Sequence, residues 1–276
     1  DAVSQGTAQM GHSGAYFWTG KNKATAFFTS TPFGLNAQEM NAWLHYGGGL
    51  ELWRELYAPF NLVPFAGGNT GVQMAGWFNR EINSMADIKG LKMRIPGLGG
   101  DVITRAGGES VNIPGGELYT AMQTGVIDAT EWVGPYNDLA FGFHQVAKYY
   151  YYPGWHEPGS SLELTVNKPA YEALPADLQA IIETAARAVN QDMLDEYTAR
   201  NNQALEELVN VHGVEVRKLP DEVIEELRKL SAEAVSDLTA DNDFAQRVAQ
   251  SVEAFKRQAK AYHGISEEAF YKARQQ

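Results

Sequence analysis

The chain has 276 residues with 44% hydrophobic, 11% aromatic and 20% charged side chains, enough apolar material for one large or two modest folded domains and too much for intrinsic disorder. Its net charge of -12, from 22 Lys and Arg against 34 Asp and Glu, leaves no basic stripe for a phosphate backbone, so nucleic acid is excluded as a partner. There is no cysteine, hence no disulfide, thiolate metal site or cysteine nucleophile, and no apolar run of roughly 18 residues that could span a bilayer as a helix.

In chain order, the opening DAVSQGTAQMGHSG reads as the end of a helix running into a strand, which leads us to expect a further segment upstream. AVSQGTAQMG (2–11) and AMQTGVIDAT (121–130) run alike: Ala2 matches Ala121, and Gly6 matches Gly125 as a left-handed helix stop before a short strand. The likeness predicts two similar α/β lobes whose strands end at a shared cleft. Within the second lobe, LKMRI predicts a strand over 91–95 and a helix from about Asp101. GNTGVQMAGWF reads as strand, with Gln73 alternating between Val72 and Met74.

From Pro175 to Gly213 the chain predicts one helix, with an apolar face of Leu178, Ile181, Ile182, Ala185, Val189, Met193, Tyr197, Leu205 and Leu208. At about 1.5 Å per residue it is long enough to bridge both lobes. PDEVIEELRKLSAEAVSDL and FAQRVAQSVEAFKRQAKAY are two more amphipathic helices, the last with a stripe of Phe244, Val248, Val252, Phe255 and Tyr262. The predicted organisation is an N-terminally incomplete first lobe over 1–66, a second lobe over 67–157, and a segment 158–276 holding a return strand, the bridging helix and the C-terminal helices.

Several signatures fail. His156-Glu157 lacks the second His of a zincin helix, the glycines at 97, 99 and 100 do not complete GxGxxG, and neither GxxxxGK[ST] nor GxSxG occurs. Polar residues at strand ends remain. Arg94 closes the strand before Pro96, at the edge where open α/β sheets bind ligands, although a surface ion pair is the commoner role for an arginine. Glu131 follows the apolar Val126 and Ile127, and Glu157 stands between a turn and a strand. Each alone could be a solvated loop carboxylate. Tyr16, Phe17 and Trp18 in GAYFWTG follow the first strand and are expected to face the same cleft, with core packing as the competing role; Tyr16 and Phe17 are favoured.

The stretches DIKGLKMRIPG and GGELYTAMQTGVIDATEW resemble the solute-binding proteins of tripartite ATP-independent periplasmic (TRAP) transporters over essentially the whole chain. GNTGVQMAGWF, IDATEWVGPYND and KYYYYPGWHEPGSSLEL look more narrowly like the subgroup that binds 2-oxo or 2-hydroxy monocarboxylates, such as pyruvate or lactate, together with a metal ion. That resemblance implies a two-lobed α/β fold like the periplasmic binding proteins, with a central cleft. It implies a periplasmic location, delivery to membrane permease subunits and no catalysis. It makes Arg94 the clamp on the substrate carboxylate and places Gln73, Glu131, the backbone carbonyl of Trp132 and Glu157 around the cation. Many members of the wider family carry Asn beside the Glu where this chain has Trp132; Asn137 is then the candidate for the amide contact, and Trp132 for a wall around a small ligand.

The chemistry of those residues agrees with the resemblance. A guanidinium grips a carboxylate bidentately, and an all-oxygen donor set suits a hard cation such as Na⁺ or Ca²⁺. Two Glu and Arg94 sum to one negative charge, so Ca²⁺ leaves one positive for a monocarboxylate to neutralise; Na⁺ makes the site neutral before the ligand arrives. The count favours Ca²⁺ and the resemblance allows Na⁺. Two rival classes stay open: a carboxylate-dependent hydrolase such as a glycosidase, and a ligand-sensing module. A homodimer through the C-terminal helices is a further expectation.

Overall fold

The computed structural model describes residues 1–275. Two sheets organise the chain. A three-stranded antiparallel sheet has the order β1 (Met10–Ser13), β8 (Ser161–Asn167), β2 (Leu62–Asn69). A six-stranded mixed sheet runs β5 (Glu109–Val111), β4 (Lys92–Arg94), β6 (Ala129–Thr130), β3 (Gly76–Phe78), β7 (Tyr149–Tyr152), β9 (Glu215–Lys218). The chain passes between the sheets through residues 70–75, which link β2 to β3, and returns through 153–160, which link β7 to β8.

Each sheet lies under its own apolar core. In the first lobe Phe28 stacks on Trp43 and Trp53 with ring centroids 5.6 and 5.2 Å away, and Val248 and Val252 of the helix Asp243–His263 close that core. In the second lobe Leu91, Met93, Val102 and Ile103 pack with Val223 and Leu227 of the helix Asp221–Thr239. The helix Asp243–His263 therefore serves the first lobe, while Asp221–Thr239 packs on the second and reaches the first-lobe core as well through Val235 and Leu238, just before the turn between Thr239 and Asp243. Beyond the other face of the second sheet, Trp77, Phe143 and Tyr150 pack against Leu208.

The 35-residue helix Ala176–Asn210 starts just after Pro175, and Gly213 beyond it takes a φ of +66°. It does bridge the lobes: Ala186 packs with Phe65 and Val166 of the first sheet, and Leu208 with Trp77 and Tyr150 of the second. Its inward face, however, is rotated from the predicted one in the N-terminal half. Leu178, Ile181, Ala185 and Val189 are exposed, while Ala186 and Asn190 are buried. Strand β2 comes so close that a Cβ on Gly68 would lie 2.6 Å from the Met193 sulfur, and the Gly68 N–H donates to Asn190 Oδ1 at 3.2 Å. Small and amide side chains fit there where branched apolar ones do not.

Other expectations shift for equally local reasons. Residues 1–6 form turns rather than a helix end, though Gly6 and Gly125 both take positive φ, +77° and +73°. The helix placed near Asp101 begins at Gly97 and runs to Arg105. Gln73 lies in the irregular crossing segment, not in a strand. Tyr262 is exposed, because the helix Asp243–His263 outruns the first-lobe core that covers Val248 and Val252. GVEVRK, unassigned from sequence, supplies β9, pairing in parallel with β7 from Tyr149 opposite Glu215 onward.

Candidate functional site

Register brings the central pair together. In the parallel ladder of β4 and β6, Arg94 stands opposite Thr130, so Glu131, one step further along β6, emerges beside the Arg94 side chain. The Arg94 carbonyl accepts from the Glu131 N–H at 3.2 Å. Its guanidinium Nη1 donates to Glu131 Oε1 at 2.5 Å and to the Glu131 carbonyl at 3.3 Å, while Nε donates to the Ile113 carbonyl at 3.3 Å. The guanidinium also sits over the Trp132 ring, 5.3 Å from its centroid. Arg94 is 6% exposed and Glu131 1%, so this ion pair is screened from water.

The crossing segments supply the other half. They are laced together by Thr70 N–H to the Ser160 carbonyl (3.1 Å) and Gln73 N–H to the Glu157 carbonyl (3.1 Å). Glu157 Oε2 accepts from Gln73 Nε2 at 2.7 Å and from Ser160 Oγ at 2.5 Å. Burial pushes the Glu157 carboxyl up to about 7 and neighbouring Glu131 adds to that, against the pull of His156, Ser160 and Arg94. Gln73 Oε1 is buried and has no hydrogen-bond partner, and the same is true of Asn137 Oδ1 and of His156 Nδ1. An acceptor oxygen left over beside two buried carboxylates is what a hard cation would satisfy, so the donor set fits Na⁺ or Ca²⁺.

All the residues singled out from sequence except Trp18 line one cavity of about 540 Å³ between the lobes: Tyr16, Phe17, Gln73, Arg94, Glu131, Trp132, Asn137 and Glu157. Tyr16 and Phe17 come from the short 3-10 helix Ala15–Trp18, whose tight turn sends Trp18 the other way, onto Tyr57 and Phe60 of the first-lobe core. The Tyr16 hydroxyl is held well above its usual pKa by burial and then by the negative field of Glu157 and Glu131, so it is a donor here. Trp132 packs on Phe141 with centroids 4.7 Å apart and forms a wall.

Sequence reasoning missed several participants. His156 is buried, with Nε2 3.3 Å from Glu131 Oε2, and it forms with Glu131 and Glu157 the one cluster of potential metal-ligating groups among the described residues. Its adjacency to Glu157 is the signal in the sequence that points to it. Thr70 and Ser160 contact Gln73, and Met193 and Tyr197 of the bridging helix line the cavity instead of packing in a core.

With this geometry in place, comparison with known proteins gives a consistent picture. Residues 1–242 match the family described as bacterial extracellular solute-binding protein, family 7. A monocarboxylate 2-oxoacid-binding periplasmic protein from Nostoc sp. is 44% identical over 267 residues, 97% of this chain and 73% of that protein. The crystal structure of a TRAP periplasmic solute-binding protein from Colwellia psychrerythraea with bound calcium and pyruvate superposes with a TM-score of 0.96 at 44% identity, covering 99% of this chain and 83% of that one. A counterpart from Pseudoalteromonas atlantica with bound sodium and pyruvate gives 0.95 at 43%, with the same coverage of 99% and 83%.

Proposed function

The chain belongs to the family 7 bacterial extracellular solute-binding proteins, and from that premise we propose that it captures a small 2-oxo or 2-hydroxy monocarboxylate together with a hard cation for a TRAP transporter. The observation that carries this reading is the convergence, between two lobes, of one buried guanidinium, two buried carboxylates and an unpartnered buried amide oxygen. The relatives described as binding pyruvate with calcium or with sodium support the same ligand pair.

In this reading Gln73 Oε1, Glu131, Glu157 and the Trp132 carbonyl hold the cation, which supplies positive charge for the ligand's oxygens. Arg94 orients the ligand carboxylate, Tyr16 donates to its keto or hydroxy oxygen, Asn137 offers its amide, and Phe17 and Trp132 shed water from its apolar end. Contacts from both lobes exist together only when the cleft is shut, so the ligand favours the closed form, with 67–73 and 157–164 as hinges. The organisation into lobes over 1–66 and 67–157, with 158–276 returning through the first, belongs to the same proposal.

The protein acts in the periplasm and hands its ligand to membrane permease subunits. Among the described residues no helix is long and apolar enough to cross a membrane. Exposed Tyr262, Phe270 and Tyr271 on the C-terminal helices, with Ile265 in the turn between them, support a homodimer through that region. We read the site as non-catalytic. Mass spectrometry and elemental analysis of what purified, undialysed protein releases on denaturation test the reading: a small 2-oxo or 2-hydroxy acid with Ca²⁺ or Na⁺ is expected. A sugar, or turnover of an added glycoside, would overturn it.

A further inference from the structure

Behind the cation site lies a further buried carboxylate that the binding chemistry does not use. Asp138 is 1% exposed and belongs to the helix Pro135–Phe141, which follows the turn 131–134. Three donors from three parts of the second lobe converge on it. Trp77 Nε1 of β3 donates to Oδ2 at 3.0 Å, and the Tyr150 hydroxyl of β7 donates to the same oxygen at 2.6 Å. Oδ1 accepts the Val133 N–H at 3.2 Å. Trp77 and Tyr150 are cross-strand partners with rings stacked 4.0 Å apart, so the two donors facing Oδ2 are themselves fixed by the sheet.

That arrangement bears on the cation because of what Val133 follows. The backbone of Glu131, Trp132 and Val133 is pinned on one side by the Arg94 carbonyl, which accepts from Glu131 N–H, and by Met74 N–H, which donates to the Val133 carbonyl at 3.0 Å. The Glu131 carbonyl also accepts from Arg94 Nη1 and from Thr130 Oγ1, and Asp138 supplies the anchor further along, at the Val133 N–H, which shares a peptide plane with the Trp132 carbonyl and so sets where that carbonyl points. The next helix is tied at the same place, since the Asp138 N–H donates to the Gly134 carbonyl at 2.9 Å and Asn137 is its neighbour. A carboxylate suits this position because both oxygens accept and neither must donate. An amide would turn an NH₂ toward either two donors or the Val133 N–H.

We propose that Asp138 is a positioning residue for the cation, aiming the Trp132 carbonyl and Glu131 at the ion through the Val133 N–H. The proposal rests on the assignment of Glu131 and Trp132 as cation ligands. Groups that orient metal ligands from outside the coordination sphere typically change metal affinity by roughly 10- to 100-fold when altered, and Asp138→Asn should fall in that range.

The probe is Tb³⁺ in the Ca²⁺ site, excited through the Trp132 indole, with affinity from titration and bound-water count from luminescence lifetimes in H₂O and D₂O. Asp138→Asn should lose affinity and gain a coordinated water, as the carbonyl swings away. Tyr150→Phe, which removes one donor and no charge, should do the same to a smaller extent, and it keeps the test alive if Asp138→Asn does not fold. Leu227→Ala, in the separate second-lobe core on the other face of the sheet, should lower thermal stability with lifetimes unchanged. Wild-type affinity and hydration in Asp138→Asn, or in Tyr150→Phe where that is the folded variant, would overturn the proposal. So would an equal lifetime change in Leu227→Ala, which would make the role of Asp138 merely structural. Glu131→Gln separates the two levels: if it leaves Tb³⁺ binding intact, the cation assignment fails and the proposal with it, whereas loss there with no effect at Asp138 refutes the proposal alone.

Discussion

Replacing Arg94 by Ala should drive the two ligands of the site in opposite directions. Arg94, Glu131 and Glu157 carry a net charge of one negative; without the guanidinium that becomes two. The carboxylate ligand then loses a bidentate charged contact in a desolvated cleft, which costs about 2–5 kcal/mol, or roughly thirty- to several-thousand-fold in Kd. The cation gains, because two carboxylates that are 1% and 5% exposed lose their nearest positive partner. The same imbalance destabilises the metal-free fold, since breaking a buried pair from one side typically costs about 3–5 kcal/mol, and bound Ca²⁺ should restore much of that. Calorimetry with Ca²⁺ alone and then with pyruvate at saturating Ca²⁺ reads both effects, alongside thermal melts with and without Ca²⁺. Pyruvate affinity near the native value would remove Arg94 from the ligand. A fall in Ca²⁺ affinity without pyruvate would refute the electrostatic reasoning.

Glu157→Gln should weaken Ca²⁺ and pyruvate together, because coupling between co-bound ligands is reciprocal; pyruvate affinity that no longer depends on Ca²⁺ and equals the native value would contradict this. Gly97→Ala should hinder lobe closure: Gly97 has a φ of +62°, and an added Cβ would lie 2.6 Å from a ring carbon of Tyr16 in the opposite lobe. Small-angle scattering should show a drop in radius of gyration when native protein binds ligand and a smaller drop in the variant, and equal drops would exclude that contact from closure. Glu163, buried in β8 where it accepts from the Tyr57 hydroxyl at 2.6 Å, has its carboxyl pushed up to about 7 by burial. An acid whose folded pKa is raised stabilises the fold while protonated, so this contribution is full below about pH 4.5 and is lost as pH rises through 7, on the order of 1–3 kcal/mol. Glu163→Gln should therefore flatten the fall in melting temperature between pH 5 and 8 (roughly that window by the same linkage), and a slope identical to the native one would rule Glu163 out.

What the sequence reveals about the site depends on whether a residue's role shows in its neighbours along the chain. Arg94 is legible because strand periodicity and Pro96 place it at a strand end, and Glu131 because it closes the next apolar run. His156 and Asp138 are not, since their roles are defined by Glu131 and by Val133, Trp77 and Tyr150, which tertiary packing brings to them. The bridging helix shows the same limit in its packing. Apolar periodicity picked Ile181 and Val189, yet the close approach of Gly68 selects Ala186 and Asn190, and no rule of hydrophobic spacing buries an asparagine. Likewise β9 is short and charged, and it becomes a strand only because the edge of β7 is there to pair with it.

The central claim is that cation and monocarboxylate share one site, and the most direct test is calorimetric titration of pyruvate into protein stripped of metal and then reloaded with Ca²⁺ or Na⁺. With elemental analysis verifying removal, binding should be lost or much weakened in the stripped protein and recovered on reloading. Unchanged pyruvate affinity in verified metal-free protein would contradict the account.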